Sequence, residues 1–125
     1  MNKESIKELV TKEIDLFLDE YEMPLQEETV GVPWGIEKIA KELQEMRKLL
    51  VEPYASEYLC DDNLINNNDR LSKGTRSGYI VAIDDIYALL YDTSANDFVL
   101  ITKIKNGGWG SWGIRGDACS TFMAR

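Results

Sequence analysis

The stretch that decides the fold runs from Gly78 to Lys105, GYIVAIDDIYALLYDTSANDFVLITKIK. Its apolar runs, Tyr79–Ile83, Ile86–Tyr91 and Phe98–Ile104, are the longest in the chain and are interrupted only by turn chemistry. Each is rich in β-branched and aromatic side chains, which suit a pleated, half-buried surface. The runs therefore read as strands. Asp84 and Asp85 fit a tight turn, because a short carboxylate tolerates left-handed backbone and can bond nearby amides. Asp92–Asp97, DTSAND, has the polarity and length of a hairpin loop. Short connections make antiparallel neighbours, hence a meander. A short helix over Ile86–Tyr91, capped by Asp84, is the competing reading, but six residues between turn signals is brief for a helix.

Both faces of this meander are apolar: Phe98, Leu100 and Ile104 point one way, Val99 and Ile101 the other. Covering elements are required, and they lie upstream. Ile6, Leu9, Val10, Ile14, Phe17, Leu18 and Tyr21 recur at helical spacing, which predicts an amphipathic helix over about 3–21 with Asn2 as N-cap. Pro24 stops it, and Met23–Val32 reads as an acidic linker. A second amphipathic helix is predicted over about 34–51 from Ile36, Ile39, Ala40, Leu43, Met46 and Leu50, with Pro33 in its first turn and Trp34 as a core plug.

Further strands are expected at 54–60 and 112–115, with a closing helix at 118–125 capped by Asp117. The fold class is α+β: two N-terminal helices on an antiparallel sheet of about four to five strands, in a single domain spanning 1–125. Residues 61–78, including DDNLINNNDRLSKGTRS, read as a long loop that is either mobile or an arm ordering on a partner. Arg70, Lys73 and Arg76 make it the one basic spot in the chain.

Composition narrows the chemistry. The chain of 125 residues contains no histidine, which excludes Ser-His-Asp and Cys-His catalysis and histidine-ligated metal or haem. Cys60 and Cys119 lack CxxC spacing and read as free thiols of an intracellular, cytoplasmic protein. Neither a signal-peptide core nor a run of membrane-spanning length is present. Asp92-x-Ser94-x-Asn96 begins like a calcium loop, but Asp97 replaces the turning glycine and Lys103 the bidentate glutamate. Gly108, Gly110 and Gly113 satisfy GxGxxG in surroundings that read as sheet, where a dinucleotide fingerprint needs a helix start. Arg115-Gly116-Asp117 spells RGD without further context. No metal, cofactor or catalytic residue is expected.

Fourteen basic residues face 22 acidic ones, for a net charge of -8. Between Glu13 and Glu28 lie seven acids and no Lys or Arg. Such a surface repels nucleic acid and anionic lipid and favours encounter with a basic protein. The candidate partner-binding residues are Asp15, Asp19, Glu20, Glu22, Glu27 and Glu28. Trp109, Trp112 and Arg115 are the candidate anchors for an interface or a small ligand, since tryptophan and arginine dominate interface hot spots.

The expected function is therefore that of a non-enzymatic binding protein of bacterial immunity or inhibitor type, occluding the cleft of a basic toxin or nuclease-like protein. The alternative is a small-ligand or regulatory domain built on the turn at 107–116. In layout, two helices followed by antiparallel strands, the chain is broadly similar to the SUKH immunity superfamily. It lacks that superfamily's helix signature of a proline with Tyr-x-x-Phe-Leu, so no membership follows.

Overall fold

All three apolar runs between Tyr79 and Ile104 are strands in the computed structural model, which describes residues 2–20, 35–60, 74–104 and 107–125. Two helices come first, α1 (Lys3–Glu20) and α2 (Ile36–Leu49), followed by β1 (Leu50–Cys60), β2 (Gly74–Asp84), β3 (Tyr87–Asp92), β4 (Asp97–Lys103) and β5 (Trp109–Gly116). A short helix, α3 (Ala118–Met123), completes the α+β arrangement.

The ends of these elements follow local chemistry. Asn2 caps α1 by accepting the Ser5 amide at 2.8 Å, and Asp117 caps α3 by accepting the Ser120 amide at 2.9 Å. Asp85 at φ 54° and Asn96 at φ 56° are the only non-glycine residues with positive φ among those described, and each sits in a predicted turn. Asn96 N–H closes its turn on the Asp92 carbonyl at 2.8 Å.

Some boundaries differ from expectation. The cap of α2 is Gly35, so that helix starts at Ile36 and ends at Leu49, because Leu50 already pairs with Ala82 across β1 and β2. The expected loop at 61–78 is overturned at its end: Gly74–Gly78 belong to β2, where the pairing of Thr75, Arg76 and Ser77 with β1 outweighs their polar composition. The expectations for Pro24, Met23–Val32, Pro33, Trp34, Arg70 and Lys73 fall outside the described residues.

The meander closes into a five-stranded barrel. Consecutive strands pair antiparallel, which leaves the first and fifth running in the same direction, so their junction at Leu59 and Gly110 is parallel. Closure explains the two apolar faces. Tyr58, Ile80, Ala88, Leu90, Val99 and Ile101 fill one buried cluster inside the barrel. Val81, Leu89, Tyr91 and Phe98 point outward into a second cluster, roofed by Ile6, Val10 and Ile14 of α1, Ile39, Leu43 and Met46 of α2, and Phe122 of α3. Tyr91 and Phe98, paired across β3 and β4, meet edge to face with centroids 5.1 Å apart.

Gly78 permits the tightest point of this wall. A Cβ there would lie 2.1 Å from the Tyr91 carbonyl oxygen, so the two strands approach more closely than a side chain allows. Among the described residues, no helix is long and apolar enough to cross a membrane.

Candidate functional site

Strand alternation brings an unforeseen set of charged residues together. In β3, Ala88 and Leu90 face the barrel interior, so Asp92, two residues on, faces inward as well. The same phase carries Arg76 inward from Ile80 on β2, Asp97 from Val99 on β4, and Arg115, which is paired with Val99, on β5. Tyr58 sits opposite Arg76 on β1. One end of the barrel is therefore filled by two arginines, two aspartates and a tyrosine rather than by hydrocarbon.

Asp92 is the centre of this cluster and is 0% exposed. Its Oδ2 accepts from Tyr58 Oη at 2.6 Å, Arg76 Nε at 2.9 Å and Arg115 Nη2 at 3.2 Å. Its Oδ1 accepts from the amides of Ser94 at 2.9 Å and Ala95 at 3.1 Å, and from Arg76 Nη2 at 3.3 Å. Arg115 also binds Asp97 through Nε at 2.9 Å and Nη2 at 3.0 Å, and Nη2 lies 3.3 Å from the Tyr58 hydroxyl. The two positive and two negative charges cancel, and each carboxylate has guanidinium partners in good geometry.

Those partners fix the protonation states. Burial opposes ionisation of Asp92, but the bonds from Arg76 and Tyr58 and the Ala95 amide outweigh it and hold the carboxyl well below the usual carboxylate range. Burial, reinforced by the bond to Asp92, pushes the Tyr58 hydroxyl well above its ordinary value. A general acid or base works best with a pKa near the operating pH, and neither group meets that condition. Cys119 is fully buried, and burial followed by the charges of Glu13 and Asp117 pushes its thiol up to about 12. Among the described residues, no group of acids and cysteines could hold a metal ion.

The described residues among those singled out from sequence lie on α1 and β5. Asp15 lies on the outer side of α1, its carboxylate paired with Arg47 of α2, both half exposed. Asp19 and Glu20 lie in the last turn of α1, while Glu22, Glu27 and Glu28 are outside the described residues. Trp109 is half-buried against the interior cluster, with Lys103 Nζ 6.0 Å from its ring centroid. Trp112 lies on β5. Arg115 turns inward to the ion network; the RGD triplet is a strand end followed by a helix cap. Gly110 and Gly113 lie within β5, which opens no helix.

Tyr58, Arg76, Asp92 and Asp97 were not recognised as a unit from the sequence. The available signal was the phase of Asp92 relative to Ala88 and Leu90, with Arg115 as a matching inward charge on another strand. Beside Arg76, a polar recess of about 240 Å³ is lined by Glu57, Thr75, Ser77 and Ser94. Comparison with protein-family models, curated proteins and solved structures finds no match for this chain.

Proposed function

We propose that this is a small acidic binding protein without catalytic chemistry of its own, of immunity or inhibitor type, which occludes the cleft of a basic partner protein. The observation that carries the reading is the Glu13–Glu28 stretch, seven acids with no Lys or Arg in 16 residues. Outside it, 14 basic residues face 15 acidic ones, so the stretch carries nearly all of the net charge, with Asp15 paired to Arg47 and Glu13 accepting the Ala118 amide. The barrel cluster is internally neutral, and Lys7 pairs with Glu52, Arg125 with Glu42 and Asp84. The fixed protonation of Asp92, Tyr58 and Cys119 favours binding over acid–base or thiol chemistry at those groups.

Clustered charge of one sign accelerates association with an oppositely charged protein and makes the affinity fall with salt. The test is affinity capture of partners from the source cell, followed by titration of the captured protein between about 0.05 and 0.5 M salt, over which the Debye length shortens from above 10 Å to about 4 Å. A basic partner, with Kd rising at least tenfold across that range and rising again in the triple variant Glu20→Lys, Glu22→Lys, Glu27→Lys, is the expected result. An affinity indifferent to both would overturn the reading.

A further inference from the structure

At the end of β2 and β3 opposite the buried ion cluster, an open groove of about 450 Å³ lies between the β2–β3 turn, α2 and the residues after α3. It is lined by Asp84, Asp85 and Tyr87 of the hairpin, Lys38 and Glu42 of α2, and Met123 with Arg125. Three acids thus face two bases. Arg125 is shared between Asp84 and Glu42 while its guanidinium stacks 4.1 Å from the Phe122 ring. The Asp85 carboxylate, alone of the three acids, has no hydrogen bond or ion pair with any described residue. The groove consequently carries surplus negative charge, and Asp85 is where it is not neutralised.

Among the charged groups of the groove, apolar side chains flank that carboxylate on a turn held in place. Half-buried Tyr87 and Met123 form walls, and Ile86, at 46% the most exposed large hydrophobic residue described, stands at the tip of the turn. Lys103 N–H donates to the Ile86 carbonyl at 2.8 Å, tying the turn to β4. Asp85 itself is held at φ 54°. A tied turn that presents an apolar tip, an aromatic face and an unmatched acid loses little conformational freedom on binding. A guanidinium or ammonium stem can lie against Tyr87 while its head meets the carboxylate.

We propose that this groove is a docking pocket for an arginine or lysine side chain of a basic protein partner, with Asp85 as the counter-ion and Ile86 as the adjacent apolar contact. The proposal rests on the basic-partner reading above and adds a second, structured contact to it. In sequence, the acidic stretch leads into α2, the helix that contributes Lys38 and Glu42 to the groove.

The experiment is a backbone amide chemical-shift titration of the whole chain with N-acetyl-arginine methylamide, with N-acetyl-leucine methylamide as control, on the wild type and Asp85→Asn. Asparagine tolerates the left-handed backbone at this position and no native bond is lost, so the variant keeps the fold, which its melting curve checks. The expected result is saturable shifts at Asp85, Ile86, Tyr87 and Met123 with the arginine probe only, and at least fivefold weaker binding in Asp85→Asn. Shifts confined to the outer face of α1, at Glu4, Glu8 and Asp15, overturn the groove as the site and leave the basic-partner reading in place. Equal binding by wild type and Asp85→Asn, or no shift at 85–87, overturns the proposal too. The salt series above judges the broader reading separately.

Discussion

The hydroxyl of Tyr58 donates to Oδ2 of Asp92 at 2.6 Å, joining the first strand of the barrel to the end of the third across 34 residues of sequence. Both groups are buried, and Arg76 and Arg115 bond to the same carboxylate oxygen. A strand junction in the parallel sense at Leu59 and Gly110 is thus accompanied by a side-chain junction among β1, β2, β3 and β5.

Asp92→Asn leaves Arg76 and Arg115 without their shared charge. Removing one partner of a buried ion pair typically costs about 3–5 kcal/mol, and the loss is expected as a lower midpoint in urea unfolding. Tyr58→Phe removes one hydrogen bond to a charged acceptor and is expected to cost about 1.5–3 kcal/mol. If the two substitutions act through one network, the double variant loses less than the sum, which a double-mutant cycle reads directly.

The same carboxylate sets an acid limit. Its folded pKa lies below the unfolded value of about 3.9, so the unfolded chain takes up the proton first and stability falls as pH drops below about 4. That contribution is fully present above pH 5 and declines through the acid range. Unfolding free energies measured from pH 6 down to pH 2 should show a shallower acid decline in Asp92→Asn than in the wild type.

Gly78→Ala places a methyl group 2.1 Å from the Tyr91 carbonyl oxygen and 2.6 Å from a Leu90 methyl carbon. The obstacle is backbone, so the strands must separate. A loss of more than about 2 kcal/mol is expected, at the upper end of overpacking, with Gly35→Ala, which meets nothing within 4 Å, as the comparison.

Cys119 is fully buried with its thiol pushed up to about 12. In a Cys60→Ser background the remaining thiol is expected to react with a disulfide reagent only on unfolding, so that its modification rate tracks denaturant concentration. Rapid labelling in native buffer would contradict the packing of α3 against the barrel.

The class of the fold was legible because it rests on periodicity. Two helical stripes and three dense apolar runs occupy the predicted places, and Asn2, Asp85 and Asp117 perform the local roles their side chains suggest. Closure was not legible, since one residue pair joins β1 to β5 among the described residues and no local pattern encodes that meeting. The polar end was hidden for a related reason. Arg76 lay in a stretch whose composition resembles loop, and Asp92 resembled a loop residue, although both continue the inward phase of their strands.

The alternation along β3 also governs which changes in chain length the protein can absorb. Deleting one residue between Ala88 and Asp92 would send the side chains beyond it to the wrong side of the wall, exchanging hydrocarbon for charge in both compartments. The solvent-facing bend at Asp85 and Ile86 has no such parity to protect. A one-residue deletion at that bend is therefore expected to cost less stability than one in the strand, and to act instead on the contact proposed for Asp85 and Ile86.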